Sequence, residues 1–467
     1  MSAPRALILV SLAWAAIYLP ALGTLEIKGE EGRRILPAVT MLESGNYIVP
    51  QVGSDPYFSK PPLVNWLVAA SFKLFGERNE WTARLPSVLC VLAVALAFVT
   101  VARSSLGPNG SFAAALIWLA NFGMLEKGRL IEIEALYVSL GGLAFICWMS
   151  GWQQRRSPWF TWMVPWIILG FGLLAKGPLH LVFFYAVVLA ILYRAGELRL
   201  LWKIPHLVGV LVMLAIFAAW AVPCLWLMQH AHVTQTWARQ FSGRLSGEDF
   251  KLASWLLNIP RALGYFLPWT LLLPFARPRK LSDRRELAIV KGLLLGIGVS
   301  FVVVSLLPGT LPRYTMPLLV PTIWLTALLL ARDAFELPRF LRSKRLPQIV
   351  AIFFAVAVAI YAIGVVPHLK KREKIRTIAM QINAALPAAE PLYAVDPDYQ
   401  PFLFYVRDPI IYVAAPSALP RSARYILVQP EREEELHAAR GVDHVAPILR
   451  LKDYRNKEVV LLRAIEP

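Results

Sequence analysis

Three groupings of charged residues in this chain could do chemistry. The first reads Lys28-Gly29-Glu30-Glu31-Gly32-Arg33-Arg34. A carboxylate in such a turn can take the proton of a hydroxyl nucleophile, as a general base must. With Arg33 and Arg34 so close, the same pair also reads as a solvated, charge-paired loop. The second is Asp55-Pro56-Tyr57-Phe58-Ser59-Lys60-Pro61-Pro62. A lysine between aromatics and a Pro-Pro breaker is a semi-rigid point charge suited to phosphate, or else a snorkelling anchor at a membrane surface. The third, Glu126-Lys127-Gly128-Arg129-Leu130-Ile131-Glu132-Ile133-Glu134, crowds three acids into one short connection. Near a bilayer they are costly unless they face water or a cation, although Glu132 and Glu134 also suit a helix N-terminus. Lys176 before Gly177-Pro178, Arg244 and Lys251 in one polar loop, and Arg313-Tyr314 add cations beside apolar runs. Each could clamp a phosphate or simply anchor the chain. His180, His230 and His232 lack metal-ligand spacing, and Cys90, Cys147 and Cys224 each sit in an apolar run, so no metal site is expected. No phosphate-cradling glycine loop, serine nucleophile elbow or zinc-protease helix motif is present.

A membrane must position these residues. The 467 residues are 57% hydrophobic and 17% charged, whereas soluble domains are about 45–50% apolar and about 25% charged. That excludes a cytosolic globule, a disordered chain and a disulfide scaffold. Candidate spans fall at roughly 5–22, 85–103, 110–125, 133–150, 159–175, 178–193, 205–227, 255–275, 288–307, 314–331 and 347–367. The first resembles a signal peptide but is expected to be a retained helix. Short loops around Arg155-Arg156, Arg194–Lys203, Arg277–Arg285 and Arg339–Arg345 carry much of the +18 net charge. Clustered Lys and Arg mark the cytoplasmic side, so the charge orients the chain and needs no nucleic acid. Residues 23–84 then form the first outer loop, and every grouping above lies on the outer face. After about residue 370 the composition turns polar, with a helical stretch at 372–386 and β-like runs at 391–395, 402–406, 425–428 and 459–462. The expected organisation is a transmembrane catalytic domain over 1–368 and an extracytoplasmic α/β domain over 369–467.

The groupings together are more specific than any one of them. Glu30-Glu31 with Arg33, Met41-Leu42-Glu43-Ser44-Gly45 through Pro50, Tyr57-Phe58-Ser59-Lys60-Pro61-Pro62, Leu74-Phe75-Gly76 and Ala83-Arg84-Leu85-Pro86-Ser87 follow one another in order. Arg129 through Glu134, Leu174-Ala175-Lys176-Gly177-Pro178, Leu267-Pro268-Trp269 through Pro274, and Leu311-Pro312-Arg313-Tyr314 through Pro317 continue the series. From about residue 5 to 330 the pattern resembles the GT-C superfamily of integral-membrane glycosyltransferases. The similarity is greatest to the bacterial branch of the aminoarabinose lipid A transferases and protein O-mannosyltransferases. Glu30 and Glu134 stand where that family usually has Asp, Ser59 where it often has a metal-binding Glu, and Lys251 where a His is common.

The resemblance implies a mostly α, polytopic protein of about 11–13 spans, with amphipathic helices in the first outer loop and a small C-terminal α/β domain. It implies a multi-pass protein of the bacterial inner membrane, acting as a monomer. The reaction implied is transfer of a sugar from an undecaprenyl-phosphate-type donor to a hydroxyl or phosphate of a glycolipid, polysaccharide or protein. Glu30 would be the general base of an inverting attack, with Glu31 and Glu134 supporting it. Lys60, Arg84, Lys176 and Arg244 would bind the donor phosphate. Arg33, Tyr57, Arg129, Lys251, Arg313 and Tyr314 are further substrate-site candidates. No cofactor beyond the lipid donor is expected, and a divalent metal is not. The rival readings are a polyprenyl-lipid flippase or transporter and an O-antigen ligase or polymerase.

Overall fold

The computed structural model describes every residue except 58–59, 229–251, 339–340, 342, 344, 389, 408, 441–443, 454 and 466–467. The first ten helices are α1 Ala3–Tyr18, α2 Gly32–Ser44, α3 Leu63–Phe75, α4 Glu80–Thr100, α5 Arg103–Leu119, α6 Phe122–Lys127, α7 Ile133–Gln153, α8 Pro158–Lys176, α9 Leu179–Ala195 and α10 Ile204–Leu227. Contacts divide the chain into two compact units. One contains residues 1–20, 59–64 and 85–362; the other contains 21–58, 65–84 and 363–467.

The first unit is helical and built for a bilayer. Among the described residues, seven helices of the chain are long and apolar enough to cross one: α4, α7, α8, α10, Arg284–Leu306, Pro312–Ala331 and Leu346–Lys370. Helices α1, α3 and α9 are apolar but shorter. Tryptophans fill the interior, with Trp118, Trp148, Trp162, Trp166 and Trp324 all buried. Small residues let backbones approach closely, as lipid-embedded helices require. A Cβ on Gly292 would stand 2.6 Å from Cα of Ile191, and one on Gly296 would stand 2.7 Å from Cα of Val187, so Arg284–Leu306 lies directly on α9.

One expected span is not a single helix. Residues 255–275 form the short helices Leu252–Leu256 and Asn258–Gly264, then a 3-10 segment Trp269–Phe275. Pro268 and Pro274 remove helix donors. The carbonyls of Tyr265 and Leu267 accept from elsewhere, from the N–H groups of Gly123 and Phe122 respectively. The expected span at 110–125 is also divided. α5 is kinked at Gly107–Pro108 and ends at Leu119, and Asn121 caps α6 through the N–H of Met124.

The second unit joins the segment between α1 and α4 to the C-terminal residues. Its five-stranded sheet has the order β4-β3-β5-β7-β6, formed by β3 Leu392–Val395, β4 Ile410–Val413, β5 Tyr425–Val428, β6 Val445–Lys452 and β7 Glu458–Ala464. The first three strands of that order run parallel, and β7 and β6 continue it antiparallel. A short antiparallel pair, β1 Gln51–Val52 and β2 Asp55–Pro56, follows α2. Helices Ile375–Ala385 and Pro430–Arg440 belong to the same unit. The β-like run at 402–406 is instead a 3-10 turn, Pro401–Tyr405, opened by a proline and burying the adjacent Phe402 and Leu403.

Replacing Gly296 by Leu should press a side chain into the α9 backbone and cost about 1–3 kcal/mol of stability. Replacing Gly298, which has open space around it, should leave thermal unfolding of the detergent-solubilised protein unchanged.

Candidate functional site

Each compact unit holds one group of the expected residues. In the second unit the acidic motif is a 3-10 turn, Gly29–Glu31, leading into α2. Gly29 has φ +57°, a conformation glycine adopts without penalty. The turn separates the fates of its two acids. Glu31 points inward and meets Arg84, with Nε donating to Oε1 at 2.9 Å and Nη2 to Oε2 at 2.8 Å. The remaining Arg84 donors go to the carbonyls of Leu22 and Leu25, both at 2.9 Å, and Glu26 at 3.1 Å. All five guanidinium N–H groups are therefore engaged within the protein. The two side chains are 4% and 3% exposed.

Arg84, expected at the donor phosphate, has all its donors engaged in this turn. Glu31, expected to support the reaction, is the buried partner of that arginine. Glu30 differs: its side chain is 43% exposed, and its partner is the similarly open Arg33 at 3.5 Å. Arg33 in turn lies 3.8 Å over the ring of Tyr399. Tyr57 accepts a 2.6 Å hydrogen bond from Arg34 Nη1, and buried Asn65 donates to the Arg34 carbonyl. Arg34, Asn65 and Tyr399 were not among the expected site residues. Arg34 sits beside Arg33 in the motif, whereas no sequence pattern marks Tyr399.

In the first unit, Glu134 lies at the start of α7 with two cations on it. Lys176 Nζ is 3.0 Å from its Oε1, and Arg313 Nε is 3.2 Å from the same atom. Lys176 is also within 5.1 Å of the Tyr137 ring centre and 4.9 Å of Tyr314. An ammonium between two aromatic faces and a carboxylate is held as an ion, in a place where an unpaired charge would be prohibitively costly. Glu134, expected to support the reaction directly, is thus the shared counter-ion of Lys176 and Arg313. Nearby in sequence, Lys127 bridges Glu126 at 2.9 Å and Glu132 at 3.2 Å. Arg129 donates to the carbonyl of Pro20. Lys60 is half-buried in the same unit. His180 is a packing residue, with its ring nitrogens 2.9 and 3.0 Å from the carbonyls of Gly177 and Leu169. Arg244 and Lys251 lie outside the described residues, as do Phe58 and Ser59.

The two groups offer distinct chemistry. The turn presents a half-exposed carboxylate beside a guanidinium. The helical unit gathers cations on one buried carboxylate at a helix end, where an anionic head group could join them.

The family described as dolichyl-phosphate-mannose-protein mannosyltransferase matches residues 59–222. An undecaprenyl phosphate-alpha-4-amino-4-deoxy-L-arabinose arabinosyl transferase of Pseudomonas fluorescens is 30% identical over 292 residues, 60% of this chain and 48% of that relative. One from Proteus mirabilis is 28% identical over 368 residues, 76% of this chain and 64% of the relative. The chain spans about half the length of the first of these curated relatives. The crystal structure of ArnT from Cupriavidus metallidurans bound to undecaprenyl phosphate matches with a TM-score of 0.71 at 18% identity, covering 100% of both chains. The apo form of the same protein matches with a TM-score of 0.70 at 19% identity, covering 98% of each. The chain therefore has the GT-C fold of that transferase, and it is a multi-pass membrane protein.

Arg84→Met should cost about 3–5 kcal/mol, because it strands Glu31 as a buried charge. Adding Glu31→Leu should recover part of that loss, leaving the three carbonyls and the Lys28 N–H without these partners. Thermal unfolding of the purified single and double variants measures both.

Proposed function

We propose that this protein is a glycosyltransferase that moves a sugar from a polyprenyl-phosphate donor to an acceptor at the outer face of the bacterial inner membrane. The observation that carries the reading is the contrast within the acidic turn. Of the two adjacent carboxylates, Arg84 buries one and so fixes the backbone that presents the other, Glu30, to solvent. The named relatives use undecaprenyl-phosphate-linked aminoarabinose, which supports a lipid-linked donor here.

The chemistry needs a base and a sink for negative charge. The acceptor oxygen attacks the anomeric carbon while its proton passes to Glu30. The bond from that carbon to the phosphate oxygen breaks, and polyprenyl phosphate leaves with the electron pair. Attack opposite the leaving group inverts the anomeric configuration. Phosphate is already a good leaving group, so stabilising its charge matters more than protonating it. Lys60, Lys176 and Arg313 are the cations assigned to it, with Arg244 joining from the 229–251 segment. Arg129, Tyr57, Tyr314 and Lys251 are left to shape the sugar and acceptor pockets. The acceptor is a hydroxyl or phosphate of a glycolipid, polysaccharide or protein, and the enzyme acts as a monomer.

Mass spectrometry of envelope lipids and glycoproteins from a deletion strain tests the reading. Loss of one sugar modification is expected. An unchanged glycan profile with polyprenyl lipid accumulating on the inner leaflet would identify a flippase and overturn it. Because a positioned base contributes about 10²–10⁴-fold, Glu30→Gln should lower product in the complemented strain by at least about 100-fold. Lys176→Met should weaken donor use about tenfold or more, the worth of one charge-assisted contact, seen as a raised KM for the lipid donor.

A further inference from the structure

The acidic turn is gripped on both sides of Glu30 by residues from the far end of the chain. On its N-terminal side, the Glu26 carboxylate accepts hydrogen bonds from the N–H groups of Lys374, Ile375 and Arg376 at 3.3, 2.9 and 3.0 Å. It thereby caps helix Ile375–Ala385, where a negative charge is favoured. The Glu26 N–H donates to Glu373 at 3.0 Å. The next N–H, that of Ile27, donates to the Tyr405 hydroxyl at 2.7 Å, and that hydroxyl donates to Glu80 at 2.6 Å. Burial first, and the Glu80 carboxylate second, push the Tyr405 phenol well above its usual range, so it remains a donor. Arg376 pairs with the same Glu80.

On the C-terminal side, Gly32 lies so close to residues 399–401 that a Cβ there would stand 2.8 Å from the Tyr399 carbonyl oxygen. Arg33 stacks on the Tyr399 ring and pairs with Glu30. The segment carrying Tyr399 is itself braced. Buried Asp453 accepts from Gln400 Nε2 at 2.9 Å and from the N–H groups of Arg455 and Lys457, and Arg455 donates to the Tyr399 hydroxyl.

We propose that the C-terminal region is the frame that holds the Glu30 turn, and that Tyr399 is a positioning residue acting on Glu30 through Arg33. Residues 26–27 and 32–33 are fixed to this frame, so the intervening residues 28–31 have little freedom. The C-terminal region is then a requirement of the reaction at Glu30 and more than an acceptor-recruiting module. The catalytic part of this inference rests on Glu30 being the base; the framing part does not.

The test uses the full chain in lipid nanodiscs and the complemented deletion strain. Tyr399→Leu should speed hydrogen exchange of the amides of residues 27–33 about threefold to tenfold. Protection of the strands 392–395 and 425–428 should stay unchanged, which shows that the domain itself has not unfolded. Tyr399→Phe, which keeps the ring, should restore both the protection and the product. Glu26→Gln loosens a different anchor and should speed exchange at residues 374–376 as well as in the turn.

For the sugar product, the losses caused by Tyr399→Leu and Arg33→Met should not add, because both act along one path. Unchanged exchange in the turn of Tyr399→Leu and Glu26→Gln would overturn the frame. Additive losses, or full product from Tyr399→Leu while Glu30→Gln has none, would overturn the link through Arg33 and leave the base assignment intact. Full product from Glu30→Gln would instead remove the base assignment, and the exchange result would still decide the frame.

Discussion

Everything in the acidic turn depends on one buried ion pair. A guanidinium taken out of water must fill all its donors, or its desolvation is uncompensated. Arg84 does so with one carboxylate and three carbonyls, all supplied by residues 22–31. Because those five acceptors lie on one short stretch, satisfying the arginine also fixes the path of the chain as it leaves α1. The geometry around Glu30 follows from that path. Lysine, with three donors and no planar fork, could not substitute.

The helical unit meets the same electrostatic problem differently. There Glu134 is the shared partner of Lys176 and Arg313, and two tyrosine rings flank the Lys176 ammonium. One unit buries an arginine to steer a backbone. The other buries a carboxylate to collect positive charge. The two networks are separate, and each satisfies its buried charge with partners from its own unit.

Much of this was legible in the sequence, for reasons of scale. Span length and apolarity are summed over about twenty residues, so α4, α7, α8 and α10 stand out regardless of detail. The stretch 255–275 is also apolar, yet it breaks around Pro268 and Pro274, and two of its carbonyls pair with α6, far away in sequence. The run 402–406 mimics a strand in composition, but Pro401 opens it as a 3-10 turn. Arg84 shows the limit most clearly. An arginine that binds phosphate and one that binds a carboxylate look the same in a motif, and the acceptors that decide between them lie 53 to 62 residues earlier. Tyr399, in a tail with no recognised pattern, gives no such signal at all.

The cap that Glu26 places on helix Ile375–Ala385 joins residues 350 positions apart. During synthesis at roughly 5–20 residues per second, the first segment therefore waits about 20–70 s after emerging before its partner exists. The membrane helices can insert in order, and Arg84 can bind residues 22–31, while the Glu26 contact is still unmade. The Glu26 cap is thus a late event of synthesis, set by the 350 residues that separate its two sides.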